Sequence, residues 1–121
     1  MPVTYGCSHY LGLKWEREVR KWYFLCNAGV YTAGIRVNGD IGACLDIKSR
    51  KETIQGNIRR DSFTDVWKTR FEIYRKRLSL RCSSCMDCKA EKWCAGGAFH
   101  SWDFDRNEPR ICMKGILFDE I

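Results

Sequence analysis

The stretch Cys82-Ser83-Ser84-Cys85-Met86-Asp87-Cys88-Lys89-Ala90-Glu91-Lys92-Trp93-Cys94-Ala95-Gly96-Gly97 decides how this chain is read. Half of the eight cysteines fall inside it, first as CxxCxxC and then as a fourth after five more residues, with Cys112 further on. Two-residue gaps let successive thiolates turn inward around one centre, and a later ligand closes the loop. Four soft sulfurs suit tetrahedral zinc or the corners of a 4Fe-4S cluster, and spacing does not separate the two. Arg81, Lys89 and Lys92 stand beside these thiols in sequence and are expected to lower their pKa, favouring thiolate. From 81 to 112 cysteine, glycine and charged residues dominate without periodicity. So long a segment without regular structure needs a cross-link in a compact domain, and thiolate-metal bonds supply one.

The totals agree with a small ordered protein. The chain has 121 residues, enough for one domain, and is 45% hydrophobic and 30% charged, which excludes general disorder. No stretch reaches the roughly 18 apolar residues that span a bilayer, and the N-terminus lacks a secretion-signal pattern, so a cytoplasmic protein without a membrane partner is expected. In a reducing cytosol closely spaced cysteines serve as metal ligands or redox groups more often than as disulfides. A disulfide-rich secreted domain is therefore the disfavoured alternative. The net charge is +6, but basic residues alternate with acidic ones over 14–21 and 70–77, which reads as solvated helix faces. An anionic peptide or a protein surface is the main competing explanation, and nucleic acid is not expected.

Outward from the cysteines, Trp15, Val19, Trp22 and Tyr23 recur at helical spacing and suggest a short amphipathic helix over 13–23. Residues 33–37 and 41–47 flank Asn38-Gly39-Asp40, a turn whose Asn-Gly pair supplies positive φ angles for a β-hairpin. Residues 54–58, with Gly56-Asn57 inside, read as a turn into the longest helix, begun by a capping box of Ser62 and Asp65. Along that helix Phe63, Val66, Trp67, Phe71, Tyr74 and Leu78 form a core-facing stripe expected to pack against the hairpin. The fold class is α+β: a small metal-stabilised domain with a β-hairpin, one main helix and cysteine-rich loops. One domain over 1–121 is expected, with an N-terminal extension or helix (1–25), hairpin and helix (26–80) and a metal-binding segment (81–121).

With the hairpin included, the pattern becomes more specific. Cys26, Gly39 and Cys44 precede Cys85-xx-Cys88-xxxxx-Cys94, Gly96-Gly97 and Cys112, and the words CNAGVYTAGIRVNGDIGACL, IQGNIRRDSFTDVW and CAGG accompany them. This combination resembles the SPASM domain, the C-terminal auxiliary iron-sulfur module of radical SAM enzymes that modify peptides or proteins. The resemblance covers the chain from about Cys26 to Cys112. It implies one or two 4Fe-4S clusters. Cys85, Cys88, Cys94 and Cys112 match the ligand set of one cluster completely, whereas the other would use Cys26 and Cys44 and a cysteine just after the glycine pair, separated from Cys94 by three residues, where this chain has Ala98. Cys7 and Cys82 are candidate replacement ligands, and His9 or His100 would be nitrogen substitutes.

Radical SAM catalysis uses a CxxxCxxC site, and none occurs here. The chain is accordingly expected not to be catalytic alone, but to be a detached module, fragment or stand-alone, that works with a radical SAM barrel and a peptide or protein substrate. Its clusters would transfer electrons or position substrate. Asp103 and Asp105 are read as a solvated loop rather than an acid-base pair. The rival function is a zinc-stabilised module that binds protein or nucleic acid without redox activity.

Overall fold

A computed structural model describes residues 9–119. Its short helices and small antiparallel sheets make an α+β fold, and no helix among these residues is long and apolar enough to cross a membrane. Two compact units divide the chain: Asn27–Lys76 forms one, and the residues up to Cys26 together with those from Arg77 onward form the other.

In the 27–76 unit, β1 (Gly34–Ile35) and β2 (Asp40–Gly42) pair antiparallel with Ile35 opposite Ile41. The expected hairpin is present, but its turn is of another type. Only Gly39 has positive φ (91°); the Gly39 N–H donates to the Arg36 carbonyl and the Arg36 N–H to the Asp40 carbonyl. This is a three-residue loop with a glycine bulge rather than a two-residue Asn-Gly turn. A side chain at Gly39 would also come within 2.6 Å of Asn57 Oδ1. Asn57 fills that space because it holds the loop: its Nδ2 donates to the Asn38 carbonyl (3.1 Å) and to Asp40 Oδ1 (3.0 Å).

Gly56–Asn57, expected to be a turn, instead forms β3, which pairs antiparallel with β2. Helix α2 (Phe63–Thr69) packs on β3 through Val66, which is fully buried. The long helix expected beyond this point breaks after Thr69, and Glu72–Arg75 is a separate 3-10 turn. Ser62 occupies the N-cap but makes no side-chain capping bond, so the expected capping box is not formed. The break lets Phe71 and Tyr74 both enter the core, where the Tyr74 hydroxyl donates to the buried Thr53 carbonyl at 2.5 Å. Arg75 closes the broken end: it donates to the carbonyls of Trp67 (2.7 Å) and Gly29 (3.1 Å) and lies over the Trp67 ring.

The second unit begins with α1 (Leu13–Val19), shorter than the 13–23 helix expected. Its apolar stripe does not face the core. Trp15 and, beyond the helix, Trp22 and Tyr23 are exposed, whereas Glu16 is the buried helical residue. Glu16 Oε1 accepts the Leu11 N–H (2.9 Å) and pairs with Arg20, whose guanidinium also reaches the His9 carbonyl (2.9 Å) and covers the Phe24 ring. An ion pair so enclosed fixes geometry, because removing either partner strands the other in a poorly solvated place. Tyr10, Phe24, Ala90 and Ala98 form the core here, with Cys26, Cys88, Trp93, Cys94 and Phe118 packed against it.

The segment expected to lack regular structure contains two single-turn helices, α3 (Ser83–Met86) and α4 (Glu91–Cys94), and a two-stranded hairpin of β4 (Trp102–Asp103) and β5 (Glu108–Pro109). Asp103 turns the hairpin, its carboxylate accepting the N–H groups of Asp105 (2.9 Å) and Arg106 (3.1 Å). Those bonds hold its carboxyl below the usual carboxylate range, in line with a structural loop residue.

Tyr74→Phe removes the donor to a buried carbonyl and keeps the ring. We expect it to lower unfolding free energy by about 1–2 kcal/mol, measured by urea titration. An unchanged midpoint would show that the carbonyl finds another donor.

Candidate metal centre

The cysteines converge because of short-range backbone turns. The Cys85 N–H donates to the Cys82 carbonyl (3.1 Å) and the Cys88 N–H to the Cys85 carbonyl (3.2 Å), so the chain winds continuously through CxxCxxC. Helix α4 ends on Cys94, and Ala95, Gly96 and Gly97 all take positive φ angles of 56°, 92° and 90°. This run of left-handed residues brings the N–H groups of Gly96 and Gly97 near Cys94, where both favour its thiolate while the Gly97 N–H donates to the Cys94 carbonyl (2.9 Å). Such amides stabilise negative charge on sulfur. The β4–β5 hairpin then returns the chain, and Pro109, Ile111 and Cys112 reach the same place.

Cys85, Cys88, Cys94 and Cys112 line one cavity of about 240 Å³, together with His9, Tyr10 and apolar side chains such as Met113 and Phe118. The whole cavity belongs to the unit that contains both chain ends. These four are free thiols; Cys7 lies outside the described residues. Cys85, Cys88 and Cys94 are partly buried and Cys112 is exposed, which places it on the open side.

The expected lowering of thiol pKa by nearby cations is not found for the two cysteines most affected. Burial, with repulsion from neighbouring thiolates, pushes Cys85 up to about 12 and Cys94 up to about 11, against the pull of the Gly96 and Gly97 amides on Cys94. The neighbours responsible are first Cys82, by hydrogen bonding and by charge, and then Cys94 and Cys112 for Cys85, and Cys112 and Cys88 for Cys94. The basic residues are engaged elsewhere: Lys92 lies over the Trp93 ring and Arg81 over the Phe104 ring. Burial and mutual proximity thus outweigh sequence-adjacent charge. Cys82 is lowered, mainly by its contact with the Ser84 hydroxyl at 3.1 Å, and it is not among the residues lining the cavity.

Four thiols on one cavity fit a thiolate-bound inorganic group. The space exceeds the roughly 150 Å³ that takes a benzene ring. No three His, Cys, Asp or Glu side chains among the described residues are grouped so as to hold a single metal ion. Tetrahedral zinc at a Zn–S distance of about 2.3 Å would require sulfurs only about 3.8 Å apart, whereas a polynuclear cluster holds its thiolates further apart.

The remaining candidates are placed differently. Cys26 packs against the Tyr10, Phe24, Ala90 and Ala98 core, and Ala98, fully buried there, presents a methyl group and no ligand atom. Cys44 belongs to the other unit. His9 lines the cavity, and burial and His100 lower its pKa; His100 is not among the lining residues. Sequence reasoning missed Tyr10, which forms part of the cavity wall and whose hydroxyl burial pushes up to about 12. A lone aromatic ahead of α1 gave no signal for that position.

These features define a thiol-lined pocket on a small α+β scaffold. The family model of the SPASM iron-sulfur cluster-binding domain matches residues 26–89, more than half of the chain, and the chain belongs to that family. The match includes Cys26, Cys44, Cys82, Cys85 and Cys88 and ends before Cys94 and Cys112. Comparison with curated proteins and with solved structures gave no match.

Gly96 carries a further constraint, because a side chain there would lie 2.6 Å from the Ser79 backbone nitrogen on top of the 92° φ. Gly96→Ala should cost about 2–4 kcal/mol of stability and reduce the iron retained after reconstitution. Iron content and denaturant midpoint equal to those of the parent would show that the turn tolerates the methyl group.

Proposed function

We propose that Cys85, Cys88, Cys94 and Cys112 hold a 4Fe-4S cluster and that the chain acts as an auxiliary module of a radical SAM enzyme that modifies a peptide or protein. The observation that carries this reading is the sharing of one cavity by these four thiols in a member of an iron-sulfur cluster-binding family. A thiolate-bound cluster supplies one-electron transfer at a potential set by burial and by hydrogen bonds to sulfur. The protein's own contribution is legible in the wall: Gly96 and Gly97 bring amides that favour a thiolate close to Cys94, Tyr10 and Phe118 meet edge to face at 5.3 Å, and apolar neighbours limit water. Residues that tune a site in this way fit a module for electron transfer or substrate positioning better than one that performs bond chemistry alone.

Anaerobic reconstitution with iron and sulfide tests the ligand set. The parent chain should bind about four iron and four sulfide through this site and acquire broad visible absorption. Cys85→Ala, Cys88→Ala or Cys94→Ala should each lose most of it, and Cys82→Ala should retain it. A colourless protein that takes up about one zinc per chain would instead establish the structural-zinc alternative.

Cluster removal tests how far folding depends on those bonds. Because the 82–112 segment holds only single-turn helices and a two-residue hairpin, chelation should abolish amide protection there first, leaving the β1–β2–β3 sheet protected. Hydrogen exchange measured before and after chelation reads this directly. Protection retained over 82–112 would show that packing alone holds the segment.

A further inference from the structure

Beside the cysteine cavity, in the same unit, lies an open groove of about 440 Å³ between α1, the segment after it and Trp93. We infer that this groove binds an acidic peptide segment carrying an aromatic side chain. This inference rests on the proposed peptide-modifying role only for the identity of the peptide as a substrate; the binding itself does not require the cluster.

The groove's walls are aromatic and unusually open to water. Trp22 and Tyr23 are 79% and 62% exposed, they meet edge to face at 5.3 Å, and Tyr23 stacks on Trp93 at 5.5 Å. Two adjacent rings this exposed are costly to leave in water and supply a rigid stacking surface. Its charge is positive. Glu16, the acidic lining residue, is already paired with Arg20, which is further tied to the His9 carbonyl and to the Phe24 ring. Arg17 and Lys21 carry no such ion pair among the described residues and stand exposed on the groove's rim, and Lys92 adds charge over the Trp93 ring. The occupant that complements this arrangement brings carboxylates to the rim and a ring to the aromatic wall.

Single-stranded nucleic acid also combines negative charge with stacking, but it needs cations that track a backbone over several nucleotides. Here the charge is gathered around one concave space sized for one or two side chains. A peptide fits that shape better. The groove also shares a wall with the cysteine cavity: Tyr10 lines both, and Trp93 precedes Cys94. A peptide seated there lies one side-chain layer from the proposed cluster.

The test uses the reconstituted full chain and fluorescein-labelled short peptides read by anisotropy. One peptide has a central Phe flanked by Asp and Glu, a second carries Asn and Gln in their place, and a third has Ala for Phe. The acidic aromatic peptide should bind about tenfold more tightly than either relative. The paired substitution Arg17→Glu and Lys21→Glu, and separately Trp22→Ala, should each weaken it by a similar factor. Equal binding of the acidic and amide peptides to the parent protein overturns the inference without reference to any variant. So does tighter binding of oligo(dT) at the same site, or self-association through a Trp22-dependent face in sedimentation. Iron and sulfide measured on the same samples separate the two readings: normal cluster content with no peptide discrimination ends this one, and discrimination by a protein without iron ends the other.

Discussion

Four thiol groups brought to one partly buried cavity are mutually destabilising as anions. That constraint governs the arrangement around them. Burial disfavours each thiolate and every neighbouring thiolate disfavours it further, which is why Cys85 and Cys94 are pushed so far above an ordinary thiol. A polycationic inorganic core reverses the sign of this interaction, since coordination removes the proton and offsets the repulsion. The positive-φ run from Ala95 to Gly97 belongs to the same logic, because it brings two amides that favour a thiolate close to Cys94. A close backbone approach by Ser79 then makes glycine at 96 a steric requirement as well.

What was legible in the sequence was mostly what covalent spacing fixes. CxxCxxC and the glycine pair identified three of the thiols on the cavity, and Asn38-Gly39 located the hairpin. Features settled by competition between distant groups were not legible. The hairpin loop took a bulge because Arg36 and Asp40 pair, leaving only Gly39 left-handed. Gly56–Asn57 has no side-chain pattern of a strand, yet backbone pairing with β2 and the Asn57 amide make it one. The aromatic stripe beyond Phe63 did predict burial for Val66, Phe71 and Tyr74, but a continuous helix would not seat the Tyr74 hydroxyl on Thr53.

The region of α1 shows a different limit of periodicity. Helical spacing of Trp15, Val19 and Trp22 says that these residues share a face, and it does not say what that face meets. Here Glu16 turns inward because Leu11 and Arg20 satisfy one of its oxygens, and the large rings turn outward. Charge adjacent in sequence misled in the same way at the cysteines. Lys92 and Arg81 lie over aromatic rings; Cys94, two residues past Lys92, is governed by its burial, and Cys82, next to Arg81, by the Ser84 hydroxyl.

The position of Ala98 connects the apolar core to the number of ligands the chain can offer. It sits in the core with Tyr10 and Phe24, and Cys26, Cys88 and Cys94 pack against that core. A methyl group there keeps the packing dense without adding a donor atom. The thiols that instead share a cavity are Cys85, Cys88, Cys94 and Cys112, two of which, Cys88 and Cys94, also touch this core. Core packing and ligand placement therefore rest on the same short helices. A substitution that loosens Tyr10 or Ala98 acts on the proposed metal centre through Cys88 and Cys94, without altering a proposed ligand atom.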